Sequence, residues 1–185
     1  MKPTIKRFEC VLLALLVMFV ASCVQAYDTL LLEIGTVEGD VDAEKLSFHA
    51  RFTLPYAFRE DEQWQLESYL EAGVSYWNGE EGTSEHEELF DFSLTPVVRL
   101  QLIQSSQFWP FAEVGFGVHV HTSDGIGDKN FDIPFAFGSH LGVGFRTGTN
   151  RNYEFLYRFK HLSNADIGDD NPGINFHSLQ FGYHF

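Results

Sequence analysis

Apolar and polar residues alternate with a period of two along most of this chain after residue 28. The alternation is clearest between Tyr153 and Lys160, where aromatic residues at odd positions are separated by residues that are mostly polar. Because successive side chains of a strand point to opposite faces, this pattern predicts a strand with one apolar face. The same criterion predicts eight strands, at 29–37, 46–54, 64–77, 89–103, 108–121, 135–146, 153–164 and 175–185.

The polar face of these predicted strands indicates what surrounds the sheet. It carries charges of both signs, namely Arg51, Glu67, Glu71, Asp91, Arg99, Glu113, Arg146, Glu154, Arg158 and Lys160. Opposite charges can pair inside a closed lumen, while an apolar outer face suits hydrocarbon. The pattern therefore predicts an all-β fold, an eight-stranded antiparallel transmembrane β-barrel of the bacterial outer membrane. A soluble eight-stranded barrel, with an apolar interior and charges outside, is the alternative. Pro96 predicts a bulge or local irregularity in the fourth strand.

The start of the chain predicts a secretory signal peptide at 1–26. Basic residues precede an apolar run at 11–21 that is too short for a typical membrane span, and small residues at 24–26 provide a cleavage site. In an alternative route, Cys23 lies in a sequence that resembles the lipobox of bacterial lipoproteins and would be acylated. Residues 27–185 then form one barrel domain.

The net charge, the positions of the cysteines and the spacing of the histidines exclude several classes of function. The chain has 12 basic and 26 acidic residues and a net charge of −14, so we do not expect it to bind nucleic acid. Both cysteines, Cys10 and Cys23, precede the predicted cleavage site, so the mature chain is predicted to contain no disulfide. Five histidines share the inward face without a zinc-binding spacing, and no metal or cofactor is predicted; they are His49, His119, His121, His140 and His184.

His161 and Ser163 continue the aromatic face of the seventh strand. With an even number of strands both chain termini lie on the periplasmic side, so this pair is predicted at the outer end of the barrel. Residues two apart on a strand have Cα atoms roughly 6.5 to 7 Å apart, within side-chain reach. A serine hydroxyl needs a neighbouring base to become a nucleophile, and histidine is the usual base.

Two asparagines complete the predicted site. Asn175 has the outward parity on the adjacent eighth strand and can accept the imidazole N–H through its amide oxygen. Asn164, which follows the serine, can offer a backbone N–H or its side-chain amide to a developing oxyanion. In the alternative interpretation, His161, Ser163 and Asn175 mark the height at which the lipid band ends and headgroups begin.

The C-terminal sequence resembles the signature of PagL-type lipid A 3-O-deacylases, also called acyloxyacyl hydrolases. The resemblance is carried by the segments HLSNA at 161–165 and NPGIN at 171–175, followed by a closing aromatic strand. It implies an outer-membrane esterase that removes the 3-O-linked acyl chain of lipid A. By this resemblance Ser163 is the nucleophile, His161 the base and Asn164 part of the oxyanion site.

The chain departs from this family where the family has a glutamate, because Asn175 occupies that position. A neutral amide cannot stabilise an imidazolium as a carboxylate does, so we expect slower turnover unless a loop carboxylate substitutes. Asp166, Asp169 and Asp170 are the candidates. The alternatives are a barrel of this fold with a dead site and a non-enzymatic, structural or adhesive barrel. The sequence leaves open the acyl-chain preference, the regulation, the lipidation of Cys23 and the oligomeric state, a homodimer included.

Overall fold

The computed structural model describes residues 27–39, 43–54, 58–59, 63–80, 82, 86–103 and 107–185. The predicted signal peptide lies outside these residues and stays a prediction. The described residues form eight long strands, as predicted. They are β1 (Thr29–Val37), β2 (Ala43–Thr53), β3 (Trp64–Gly79), β4 (Glu88–Leu102), β5 (Phe108–His121), β6 (Phe135–Thr147), β7 (Tyr153–Ser163) and β8 (Ile174–His184).

The eight strands close into an antiparallel barrel. Each strand pairs with its neighbours along the chain, and β1 pairs with β8, for example through Leu32 and Phe181. The rings of Tyr27 and Phe185 lie 5.5 Å apart, so the described start of the chain and its last residue lie at one end of the barrel, the terminal end. The opposite end is called the loop end. His161 and Ser163 lie there, at the end of β7.

Three shorter strands, which form two further pairings, were not predicted. Phe58–Arg59 pairs with β3, and Gly125–Ile126 pairs with Lys129–Asn130 to form a small hairpin in the link between β5 and β6. Segments of two residues are too short for an alternating pattern to be read in the sequence.

The outer face of the barrel is apolar over most of its height, as predicted. Phe48, Phe116 and Leu141 are each about 60% exposed, at 59, 62 and 59%. A soluble barrel would place charges in these positions, so the polarity of the two faces favours the membrane barrel. The described part of the chain contains no helix with the length and hydropathy of a membrane span.

The lumen is filled by buried ion pairs, which confirms the inward direction of the predicted charged residues. Arg99 donates to Glu113 and Glu154, both at 2.6 Å. Arg158 donates to Glu71 at 2.7 Å and to Glu113 at 2.6 Å. Because every one of these groups is buried, the pairing supplies the hydrogen bonds that water would otherwise provide.

At the loop end the polarity of the two faces reverses on several strands. A buried apolar cluster closes the lumen here, made of Ala43, Trp77, Leu89, Ile126, Phe131, Ala136, Leu162, Ile174 and Phe176. Outward neighbours such as Glu44, Asn78 and Glu88 are polar and exposed. Since hydrocarbon tolerates apolar groups only, the reversal indicates the height at which the wall leaves the apolar band. We call the apolar cluster the cap; the sequence analysis did not predict it.

Pro96 does not produce the expected bulge. The pairs Leu94 with Val118 and Val97 with Gly115 keep the same register on both sides of it, whereas a bulge would shift the register by one. The irregularity is limited to missing ladder pairs at Thr95 and Pro96, because proline has no N–H to donate.

Candidate active site

The site is built on one row of residues across adjacent strands at the loop end. His161 on β7 is the direct cross-strand partner of Asn175 on β8. On its other side, His161 pairs with Ser139 on β6. Directly paired residues share a face of the sheet, so His161, Asn175 and Ser139 all point away from the lumen. Leu162, between His161 and Ser163, points inward into the cap.

The imidazole of His161 is held by Asn175. His161 Nδ1 lies 2.7 Å from Asn175 Oδ1, a hydrogen bond between exposed side chains. An amide oxygen only accepts hydrogen bonds, so Nδ1 carries the proton and the lone pair is on Nε2. This is the tautomer that a general base requires, because Nε2 can then accept a hydroxyl proton.

Gly173 fixes where the other edge of the imidazole lies. A Cβ atom at this position would lie 3.1 Å from His161 Cε1 and 3.8 Å from Nε2. Leu162 pairs with Ile174, so the next position upward on this ladder brings Gly173 opposite Ser163. The ring therefore leans towards β8 and towards the height of Ser163, and away from Ser139 on β6. In the part of the chain that the structure describes, no hydrogen bond joins His161 to Ser163 or to Ser139, and the assignment of Ser163 as the nucleophile stays a prediction.

Asn164 turns inward and organises the loop that follows the site. It is 3% exposed, and its Nδ2 donates to the carbonyl oxygens of Phe131 and Asp170 at 3.0 and 2.7 Å. Its Oδ1 accepts from the N–H of Asp166 at 2.9 Å, and its own N–H donates to Asn171 Oδ1 at 3.0 Å. Both groups predicted to serve an oxyanion thus have partners within the protein, and the oxyanion role of Asn164 stays a prediction.

A family model described as Lipid A 3-O-deacylase (PagL) matches residues 45–184, which is well over half of the chain and includes every residue named so far in this site. The chain belongs to the lipid A 3-O-deacylase (PagL) family. This membership confirms the expected family, and together with the closed barrel it confirms the expected fold class, an eight-stranded barrel of the bacterial outer membrane.

One relative and two solved structures are similar to this chain, the structures in fold. The lipid A deacylase PagL of Bordetella bronchiseptica is 32% identical over 126 residues, which is 65% of this chain and 64% of that protein. The match thus spans slightly less than two thirds of this relative. The crystal structure of the outer membrane enzyme PagL superimposes with a TM-score of 0.73 at 23% identity, covering 85% of this chain and 99% of that one. Neisserial surface protein A matches with a TM-score of 0.53 at 9% identity, covering 86% and 96%.

Of the loop carboxylates proposed as substitutes for the PagL family's glutamate, that of Asp166 is engaged within the loop, whereas Asp169 and Asp170 are bound through their backbones. Asp166 Oδ1 accepts from Asn171 Nδ2 at 2.9 Å, and the backbone of Asp169 donates to Asp132 Oδ2 at 2.7 Å. A different carboxylate reaches the site: Asn175 Nδ2 lies 3.3 Å from Glu38 Oε2. Sequence reasoning missed Glu38 because it follows the end of β1, where alternation gives no signal.

An apolar groove runs along the outer wall below the site. Its upper part, about 730 Å³, reaches His177 two residues from Asn175, and its lower part is about 440 Å³. The two parts share Ile34, Tyr157 and Leu179, so they form one continuous groove over β1, β8 and β7. Its lower part extends to β6, and its upper part extends to β2 and β3, where Glu44 and Asn78 line it. Across the described residues, His, Cys, Asp and Glu side chains form no group of three or more that is placed to hold a metal ion.

Proposed function

We propose that this chain is an outer-membrane serine esterase that removes the 3-O-linked acyl chain of lipid A from lipopolysaccharide. The observation that carries the proposal is the 2.7 Å hydrogen bond between His161 and Asn175, beside Ser163 on the outward face of a PagL-family barrel. With Nδ1 bound to Asn175, we infer that Nε2 of His161 is the atom available as a base for Ser163. The neighbouring groove is apolar, as an acyl chain requires.

In the proposed reaction His161 Nε2 takes the proton of Ser163 Oγ, and the oxygen attacks the ester carbonyl carbon. The tetrahedral intermediate collapses, the sugar oxygen leaves with the proton from His161, and an acyl-serine remains. Water then attacks the acyl-serine, again with His161 as the base, and releases the fatty acid. Asn175 accepts the Nδ1–H throughout and keeps the ring in one orientation.

We assign the oxyanion site to Asn164. The N–H of Asn164 already donates to an oxygen, Asn171 Oδ1 at 3.0 Å. We propose that the oxyanion takes the place of this oxygen in the tetrahedral intermediate, which requires Asn171 to turn away. A backbone donor next to the nucleophile is the usual arrangement for such a site.

The height of the site on the barrel supports lipid A as the substrate. Below Ser163 and His161 the outward face is apolar, whereas Glu44, Asn78 and Glu88 at the loop end are polar. We infer that the dyad lies at the boundary between hydrocarbon and headgroups. The ester bonds of lipid A lie at this boundary, so the substrate can reach the site by lateral diffusion, with its acyl chain in the groove lined by Tyr157 and Leu179.

Lipid A mass spectrometry tests the proposal. Expression of the chain in a host whose lipid A carries 3-O-acyl groups should remove one 3-hydroxyacyl group per molecule. Ser163→Ala and His161→Ala should lower this activity by about 10³-fold or more, because each removes a group that acts in the chemical step. Heat-modifiable migration on SDS gels checks that each variant is folded.

Ser139→Ala is the matched control, since Ser139 is the other serine beside His161 and should be dispensable. Unchanged lipid A in the presence of folded wild-type barrel would contradict the proposed activity and favour a structural or adhesive role. Activity that survives Ser163→Ala but is lost in Ser139→Ala would instead assign the nucleophile to β6.

A further inference from the structure

The row that carries His161 and Asn175 continues onto β1. The N–H of Glu38 donates to the carbonyl oxygen of Asn175 at 2.9 Å, which extends the β1–β8 ladder one residue beyond the pair of Val37 and Phe176. Glu38 therefore flanks Asn175 on one side as His161 flanks it on the other. Three strands thus present a carboxylate, an amide and an imidazole in line.

The carboxylate determines how the Asn175 amide is oriented. Glu38 Oε2 can only accept a hydrogen bond, so the atom of Asn175 that faces it at 3.3 Å must be the NH₂ group. The amide oxygen then faces His161, as the 2.7 Å contact requires. With Glu38 removed, the two orientations of the amide would differ less in free energy.

A flipped amide would disable the base. Asn175 would then present its NH₂ group to His161 Nδ1, which would have to act as an acceptor. The proton of the neutral ring would move to Nε2, the atom that has to accept the proton of Ser163. The position of Glu38 thus determines which nitrogen of His161 is basic.

Glu38 is itself held from a second side. Its Oε1 lies 3.8 Å from His177 Nε2, and His177 Nδ1 lies 2.6 Å from the hydroxyl of Tyr157. If the phenol donates to Nδ1, the remaining N–H of His177 points towards the carboxylate. Glu38 is thus directed by contacts to two residues of β8.

We propose that Glu38 is a positioning residue of the serine site, which holds the Asn175 amide so that His161 Nε2 is the base, and which supplies the negative charge that Asn175 lacks. The inference rests on the proposed function. The PagL family has its acid at the position of Asn175 on β8. In this arrangement the acid is Glu38, at the end of the neighbouring strand β1, and its charge acts on the imidazole of His161 through the Asn175 amide.

Steady-state kinetics of the full-length barrel on purified lipopolysaccharide provide the first test. Glu38→Ala and Glu38→Gln should lower kcat about three- to tenfold with little change in KM, because they affect the base and leave the groove intact. The effect is modest because the Glu38 side chain is 53% exposed and water screens its charge. Glu87→Gln is the control, since it removes the same charge from an exposed side chain at the loop end, beside the end of β3 and outside the lining of the groove.

The same substitutions in an Asn175→Glu background distinguish positioning from a structural role. A carboxylate at position 175 accepts the Nδ1–H directly, and a second carboxylate at Glu38 then repels it. Glu38→Gln should therefore leave the activity of Asn175→Glu unchanged or raise it. An equal loss of activity in both backgrounds would overturn the proposal.

An NMR measurement separates this inference from the proposed activity. In ¹⁵N-histidine-labelled barrel, the neutral His161 ring should be found mainly as the Nδ1–H tautomer, and Glu38→Ala should increase the Nε2–H tautomer. His161→Gln identifies the resonances. A tautomer ratio that is the same in wild type and Glu38→Ala would overturn the role of Glu38 even if the enzyme is active. A changed ratio in a barrel without deacylase activity would overturn the proposed function alone.

Discussion

At the scale of single residues, the site depends on a glycine as much as on its polar groups. Gly173 has a φ of +60°, in the left-handed region that residues with a Cβ rarely adopt. It also lies against the ring of His161, where a Cβ atom would approach Cε1 to 3.1 Å. The backbone of the loop and the position of the imidazole are therefore set by the same residue.

Gly173→Ala should lower the deacylase activity about 10- to 100-fold while costing only about 1–2 kcal/mol of stability. The added methyl group displaces the imidazole from the height of Ser163, and small displacements of a base are costly in catalysis. Gly148→Ala is the matched control, because Gly148 also has a positive φ, +95°, but lies in the turn before β7 at the terminal end. Equal activity losses in the two variants would show that backbone strain alone is responsible.

Parity along two strands was sufficient to predict His161, Ser163 and Asn175 on one outward face. It could not reveal Glu38 or Gly173. Their contacts depend on the register between β1 and β8 and on a left-handed backbone conformation, neither of which changes the alternation of residue types. Pro96 illustrates the same limit, since its missing N–H is evident in the sequence but the intact register around it is not.

At the scale of elements, two links between strands meet above the barrel. Asn164 donates to the carbonyl oxygen of Phe131, and the N–H of Asp169 donates to Asp132 Oδ2. The link before β6 also places Ile126 and Phe131 in the cap. The loop that follows Ser163 is therefore held by hydrogen bonds to the link before β6, and that link is in turn held by its apolar residues in the cap.

Asn164→Ala should weaken the attachment of the loop after Ser163 to the link before β6. It should lower activity about 10- to 100-fold, although the variant retains the backbone N–H proposed for the oxyanion. It removes three hydrogen bonds of a buried side chain. Hydrogen exchange in segments 164–173 and 125–132 should become faster together. Asn130→Ala is the control, because the Asn130 side chain bonds only the nearby N–H of Asp132 in the contacts described. Unchanged exchange in Asn164→Ala would contradict the coupling of the two links.

The eight strands were predictable because hydrocarbon outside and ion pairs inside give opposite faces opposite polarity. The start of β2 was predicted three residues too late, because this difference in polarity between the two faces does not hold at the loop end. At the loop end the inward residues Ala43 and Leu162 are apolar and the outward residue Glu44 is exposed, so the pattern of the two faces reverses there. A prediction that assigns one polarity to each face along the whole length of a strand therefore fails at the loop end.

At the scale of the whole molecule, stability depends on a lumen in which charges are matched. Arg51, Arg99 and Arg158 are 2% exposed or less, and each contacts at least two of the glutamates Glu71, Glu113 and Glu154. Buried pairs of this kind gain little over apolar packing, but removal of one partner leaves an uncompensated charge.

Arg99→Met should therefore destabilise the barrel by about 3–5 kcal/mol, measured as a lower urea midpoint of the heat-modifiable gel shift. The double variant Arg99→Met with Glu113→Gln should recover part of this loss, because it also removes one of the unpaired charges. An additive loss in the double variant would mean that packing around Arg99, such as its contact with the ring of Phe111, matters more than charge.

The packed lumen also has a consequence for the permeability of the outer membrane that contains this protein. Among the described residues, ion pairs at mid-height and the apolar cap above them fill the barrel interior with side chains, which is unlike the open lumen of a porin. A cell could then make many copies of such a barrel without weakening the barrier that keeps antibiotics and detergents out.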